Sequence, residues 1–508
     1  MSTPRSQQRR TSGPVVLGLL GLVVLVVVAV TIELAAPPTT PQAAETRVAQ
    51  APAQSGVWYC PVTAGEEESA VVTVAAAGDT PAEVTLVRYG EDGPVTDEPV
   101  TVAPGAETVV SLDAAAASSP VAVRWRGGPA TASYRVDGDV DSEAPCAAGP
   151  SPTWYVAGLD TVGDTRSVLH LFNPFTVDAV ARIVFGTPQG PAALVLTEQI
   201  VVPAGSALKV DVDEVQPEVA DLAARIEVET GRLAVQGEVV YAGGGRALVP
   251  AVGSPSTLAA VGYGRHDEGG TSHLSIFNPS EREAAVEVTV SAPRLDGTSL
   301  PSEITVPAGA VVRVPLEGAS EAAQFGIAVR SLNGVGVVSA RTVVERDDAG
   351  RRVGVATALP PAREWSVIGG GTEGRQAQVH LYNPGSEPVT ADVLADGAPA
   401  TWQDLVIEPN SYSRLDLAEA GQRAGVPLRV LADGPVTAQL FSRTGEERPG
   451  LWTPLGVPAR AWTGPASRPT VRRDPLLSRE PAELRSEAED PVAPAPLPAP
   501  TEAPSDAP

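Results

Sequence analysis

His170-Leu171-Phe172-Asn173-Pro174, Ser275-Ile276-Phe277-Asn278-Pro279 and His380-Leu381-Tyr382-Asn383-Pro384 are one phrase written three times. The Asn-Pro pairs fall at 173, 278 and 383, so each is 105 residues from the next and the chain is a tandem array of one domain-sized unit. Proline fixes φ and lacks a backbone N–H, and it pushes the residue before it into an extended conformation. The phrase therefore reads as a strand running into a turn. Past the turn the sequence alternates with a period of two: Ala179, Ala181, Ile183 and Phe185 in one copy, Ala284, Val286, Val288 and Val290 in the next, then Val389, Ala391, Val393 and Ala395. A second turn follows in each copy, at Pro203-Ala204-Gly205, Pro307-Ala308-Gly309 and Pro409-Asn410-Ser411. It leads into another alternating strand (ALKVDVDEV, AVVRVPLEG, SYSRLDLAEA).

With a closing strand pair such as ARIEVET–GRLAVQGEVVY, each copy holds about seven short strands with turn signals every 8–12 residues or so, the pattern of an immunoglobulin-like sandwich. The expected fold class is all-β: tandem immunoglobulin-like antiparallel β-sandwich domains behind a single N-terminal transmembrane helix. The units fall at 56–148, 149–256, 257–361 and 362–462. A propeller also repeats strands, but its blades take about 40–50 residues each, which fits a 105-residue period poorly.

Composition agrees. Hydrophobic residues make up 43% of the 508-residue chain and aromatics only 4%, so the cores are aliphatic and biased toward strands. A net charge of -25 repels phosphate backbones and argues against nucleic-acid binding. Residues 1–14 carry Arg5, Arg9 and Arg10 ahead of an apolar run from Val15 to Ile32 (VVLGLLGLVVLVVVAVTI), the body of an anchor placed at 15–34. Eighteen helical residues rise about 27 Å, close to the hydrocarbon thickness of a bilayer. Arginine before the run and acidity after it place the N-terminus in the cytoplasm and the bulk outside the membrane. The reading is an uncleaved signal anchor; a cleaved signal peptide is the rival, but Glu33-Leu34-Ala35-Ala36-Pro37 offers no clean cleavage pair. Residues 35–55 read as a flexible linker and 463–508, ending PVAPAPLPAPTEAPSDAP, as a disordered Pro-rich tail, either a spacer or a partner-binding segment.

The first unit lacks Asn-Pro but keeps the second turn at Pro104-Gly105-Ala106, and it holds both cysteines, Cys60 and Cys146. In an exported chain, two cysteines bracketing one domain point to a disulfide, closing a loop for roughly 4 kcal/mol in the entropy model. The order of strand, Asn-Pro, alternating strand, Pro-Ala-Gly turn and Gly434-Pro435-Val436 hairpin, together with Trp58-Tyr59-Cys60-Pro61, resembles domain-of-unknown-function family 5719. That group consists of secreted, N-terminally anchored bacterial proteins. The resemblance covers about residues 56–462 and implies an extracytoplasmic β-rich protein of the cell envelope. It supplies no catalytic or binding residues.

Chemistry is sparse. Of four histidines, His170 and His380 share a repeat position with Ser275, and alternation sets them opposite the inward Leu169/Leu171, Leu274/Ile276 and Val379/Leu381. This places them on an exposed surface. His266 and His273 flank Asp267 and Glu268 in a Gly-rich loop, the one place where a metal is conceivable, but a third spaced ligand is missing. Gly243–Gly245 and Gly369–Gly371 are not followed by Lys-Ser/Thr or a helix, so they are hairpin glycines and not phosphate loops. No strand–Gly-x-Ser-x-Gly–helix context supports a Ser/His/Asp triad. The expectation is a non-enzymatic envelope protein with no catalytic residue, cofactor or metal. Its candidate partners are the membrane, a cell-wall glycan or another envelope protein. Trp154, Trp365, Trp402, Trp452 and Trp462 are candidate sugar-stacking faces, although Trp at the start of a unit more often packs. Phe172, Phe277 and Tyr382 are expected to pack around the turn they precede.

Overall fold

A computed structural model describes residues 55–458 apart from short gaps at 66, 77, 267–268, 294–299, 302, 348–349, 369–375, 396–401, 419–426 and 444–449. The apolar run, the linker up to residue 54 and the tail lie outside the described residues; Ser55, the linker's last residue, opens the first strand. Among the described residues no helix is long and apolar enough to cross a membrane. The protein is all-β there, with helical turns only at Ala114–Ala117, Val195–Thr197 and Val212–Val215.

The stretch after the disulfide-bearing unit shows the pattern. One antiparallel sheet runs Thr153–Leu159, Leu222–Thr230, Ala179–Thr187, Gly190–Ala193, with Ile200–Val202 also on Ala179–Thr187. The other runs Ser206–Asp211, Arg166–Asn173, Ala234–Val240, Arg246–Pro250. Consecutive strands on either side of Asn-Pro thus sit in opposite sheets. The same order recurs earlier, with Ser55–Cys60, Val121–Gly127 and Ala82–Gly90 against Glu107–Leu112, Ser69–Ala76, Ala130–Asp137 and Ser142–Pro145. It recurs again from Leu258–Arg265 to Gly350–Thr357. In the last copy one 16-residue strand, Leu428–Arg443, passes through both sheets.

The period-two residues do what alternation predicts: Ala179, Ala181, Ile183 and Phe185 are buried between the two sheets with Leu169 and Leu171. The Pro-Ala-Gly turn has a backbone reason. Gly105, Gly205 and Gly309 hold φ of 62°, 65° and 67°, and Asn410 holds 50° in the last copy. Glycine adopts that left-handed conformation freely and asparagine tolerates it.

The opposite face of each sheet is covered as well, which corrects the expected exposure of the phrase. His170, Ser275 and His380 are buried. The sheet that opens one unit packs face to face on the Asn-Pro sheet of the next. Phe172 lies 4.9 Å from Tyr89 and 6.2 Å from Tyr59, ring centre to ring centre. Phe277 occupies the space where a Cβ on Gly186 would sit, and Tyr382 does the same at Gly326, 2.3 Å from its ring. These aromatics therefore pack across the junction between units, and Tyr382 also donates its hydroxyl to Asn410 Oδ1 at 2.7 Å in the second turn of its own unit. The fourth copy meets the first by the same rule: Ser366, on its opening sheet, lies 3.2 Å from Thr131, on the other sheet of the first. Val457 joins the core cluster of Trp58 and Cys60. The described units close into a ring.

Gly326→Ala should lower stability by ~1–3 kcal/mol, the usual cost of overpacking a close contact. Gly326→Ala with Tyr382→Ala should recover a large part of that loss. Denaturant unfolding of the two variants and Tyr382→Ala alone checks it; additive losses would mean the contact is not shared.

Candidate functional site

The asparagine of the phrase is structural. Asn173, Asn278 and Asn383 are fully buried. Each donates from Nδ2 to two carbonyls: Val177 and Val202, Arg282 and Val306, Glu387 and Ile407, at 2.7–3.0 Å. Each accepts at Oδ1 from the N–H two residues on. One side chain thereby ties the crossing loop to the short strand that ends at the second turn.

The tryptophans at unit starts are also structural. Trp58, Trp154 and Trp365 are buried and donate Nε1 to Ala130, Leu233 and Val436 carbonyls at 2.7–2.9 Å. Trp402 is half-buried. The Trp452 side chain and all of Trp462 lie outside the described residues. Asp267 and Glu268 are outside them too. Among the described residues no group of three or more His, Cys, Asp and Glu could hold a metal. His273 accepts at Nδ1 from Arg313 across 3.1 Å, and burial draws its imidazole down to about 3.

The junctions hold charge that the alternation pattern alone did not reveal. Between the first two units, His170 donates to Glu238 across 2.8 Å, and Arg246 pairs with Glu238 and, at 2.6 Å, with Glu68. Burial alone would raise the Glu238 carboxyl, but the bonds from His170 and Arg246 outweigh it and hold it down at about 2. Between the last two units, Glu345 accepts from Tyr263 at 3.0 Å and Arg265 at 2.7 Å. Arg341 donates to Thr453 at 2.9 Å, beneath the Tyr263 ring, and burial pulls its guanidinium down to about 10. His380, beside Tyr263, has neither ring nitrogen bonded, and burial lowers it to about 3.

Among the described residues a partly open pocket lies where the four units meet. The last strands of the four units, Ser142–Pro145, Arg246–Pro250, Gly350–Thr357 and Leu451–Trp452, lie side by side in sequence around the centre. Thr357 donates to the Pro250 carbonyl at 2.6 Å and Leu248 N–H to Ser142 at 2.9 Å. The segments after them turn back and pair with the first strand of their own unit, as in Tyr59↔Ala147, Tyr155↔Val252 and Ala260↔Leu359. In the first unit a disulfide joins the same two places: Cys60 and Cys146 lie 4.7 Å apart at Cα. These segments, 145–151, 250–256, 356–360 and 454–458, wall a cavity of about 630 Å³. None of the residues lining it is charged. One polar side chain stands out: Gln236 is 2% exposed, and neither its amide N–H nor its carbonyl has a partner. Its counterpart Gln439 is satisfied by Thr453 O and the Tyr263 N–H. In the sequence Gln236 shares the strand AVQGEVV with Glu238, and nothing in that pattern sets it apart; its place opposite His170 is seen only in the strand register.

Antiparallel sheets in tandem, closed about an uncharged cavity, define an all-β repeat protein. The chain belongs to the family of unknown function DUF5719, whose model matches residues 48–139 and 130–364, so the sequence resemblance holds. No curated protein matches the chain. Twenty-one solved chains match. One of them, a crystal structure of a tetra-tandem repeat in the extending region of a large adhesion protein, is 9% identical. It covers 76% of this chain and 93% of that one, with a TM-score of 0.09.

Unfolded, the His380 imidazole takes its proton near 6.5; folded, it does so only near 3. Between those values the unfolded chain binds the extra proton, so stability falls as pH is lowered through that window. Glu238 adds to the loss from about 4.5 down to about 2. His380→Phe should leave stability at pH 7 unchanged or raised, and flatten the fall of Tm between pH 6.5 and 4. Thermal unfolding across that range reads it; an unaltered slope would be the contrary result.

Proposed function

We propose that the protein is a membrane-anchored, extracytoplasmic protein of the cell envelope that acts by binding or as a rigid structural body, without catalysis. Its four units are immunoglobulin-like sandwiches, and residues 15–34 form its anchor with the N-terminus in the cytoplasm. The observation that carries this is the closed ring: four units locked face to face around a cavity whose lining residues include no charged side chain and no acid–base pair. Such a wall suits holding a neutral ligand and offers nothing to move a proton. The disulfide supports an oxidising location. Arg5, Arg9 and Arg10 before the apolar run support the orientation. Glycan recognition by stacking is the weaker reading, because the rings of Trp58, Trp154 and Trp365 are covered.

Protease added to intact cells, once the outer layers are permeabilised, should degrade the body and leave a short fragment containing the apolar run. Survival of the whole chain would refute the topology. Envelope polysaccharide should fail to retain the purified protein; firm retention would favour the glycan reading instead.

A further inference from the structure

We propose that the seam between the fourth and first units is the gate of the ring: it parts while the other three junctions hold, and in parting it opens the wall of the central cavity. The inference concerns the ring itself and holds whatever the cavity takes. It is carried by what stands at equivalent positions in the four junctions. Phe172, Phe277 and Tyr382 lie opposite Ala234, Val338 and Thr437 on the neighbouring strand. The same register in the first unit sets Ala75 opposite Thr131, so alanine stands where the other units carry an aromatic ring. Across the seam the partner is small as well. Ser366, which follows Trp365, takes the place that Tyr59 holds after Trp58, and Tyr59 meets Phe172. Thr131 and Ser366 touch with 3.2 Å between their hydroxyl oxygens. At the other junctions a ring presses onto tyrosine or into the space beside a glycine. Aromatic side chains dominate the energetics of such contacts, so the seam is held least.

Two further observations agree. The chain itself crosses the other three junctions, bridged first to the unit it leaves and then to the unit it enters. Ala147 pairs with Tyr59 and Ser151 with Leu233; Val252 pairs with Tyr155 and Ser256 with Val337. Leu359 and Ala362 do the same at the third junction. Among the described residues no backbone bridge spans the seam, because Val457 and Pro458 pair with Ser366 and Trp365 of their own unit. What holds it is side chains: Val457 in the Trp58 cluster, Thr131 on Ser366, and an Arg429–Asp79 pair at 3.9 Å in which Asp79 is 95% exposed and therefore screened. The seam is also imperfectly filled. A gap of about 10 Å³, near the size of one water, lies between Ser133 and Pro145 of the first unit and Ser366, Leu440 and Leu455 of the fourth. Side chains lining such a gap forfeit contacts on one side. Pro145, Pro454, Leu455 and Val457 line both this gap and the central cavity, so parting the seam opens the cavity wall.

The test places one thiol at the same point of each junction in the full chain: Thr131→Cys, Ala234→Cys, Val338→Cys and Thr437→Cys, four positions that are all buried. Cys60 and Cys146 are bonded to each other, so N-ethylmaleimide without reductant reads the new thiol alone. The labelling rate, followed by mass spectrometry and divided by the rate in denaturant, reports how often each junction opens. Thr131→Cys should label about tenfold faster than the other three, the mark of local opening at the seam. Tyr382→Ala, which removes the ring from the third junction, should raise the labelling of Thr437→Cys toward that of Thr131→Cys. If Thr131→Cys disturbs folding, Ser366→Cys reads the same seam from the fourth unit. Equal rates at the four points, faster labelling at 234, 338 or 437 than at the seam, or no response of Thr437→Cys to Tyr382→Ala overturns the proposal.

Discussion

Everything in the fold depends on covering the second face of each sheet. A sandwich buries one face of each of its two sheets; the other faces carry Phe172, Phe277 and Tyr382, large aromatics that water would not tolerate in a row. The ring resolves this by pressing each aromatic onto the neighbouring unit, and two of the three contacts are close enough to require glycine. Gly186 and Gly326 are therefore as much a part of the repeat as the phrase that faces them. The burial of His170, Ser275 and His380 follows from the same contact, since they share that face.

The junctions differ in charge even though they share geometry. The first is stapled by a His170–Glu238–Arg246–Glu68 chain in which every bond is made between oppositely charged or hydrogen-bonding partners. The last sets Arg341 and Arg265 around Glu345 and Tyr263, with His380 kept neutral by burial. Removing one partner from a buried set strands the other, whereas an apolar face would tolerate exchange. Charge of this kind fits specific pairing: it makes each unit a poor substitute for another within the ring.

Much of the fold was legible in the sequence because it is local. Period-two alternation placed Ala179–Phe185 correctly, and Asn-Pro and the Pro-Ala-Gly phrase marked turns; that the first crosses between sheets and that Gly105, Gly205, Gly309 and Asn410 hold a positive φ came from the structure. Ring closure was not legible, because it depends on the angle between units, and no residue pair adjacent in sequence encodes an angle. The error over His170 and His380 has that origin: alternation separates two faces but does not say that both are buried. Gln236 was hidden for the same reason, since only the covering of its face by the neighbouring unit leaves an ordinary strand amide buried.

The seam between the fourth and first units has a mechanical meaning. The chain enters the ring on the strand bearing Trp58 and leaves it at Val457, and the two side chains share one core cluster. Tension applied between the two ends would act across that single seam and bypass the other three junctions. The disulfide between Cys60 and Cys146 locks the entering strand to the end of its own unit, so the first unit would resist while the last strand peels. The two ends of the described chain thus meet at one seam, and force drawn between them would reach that seam first.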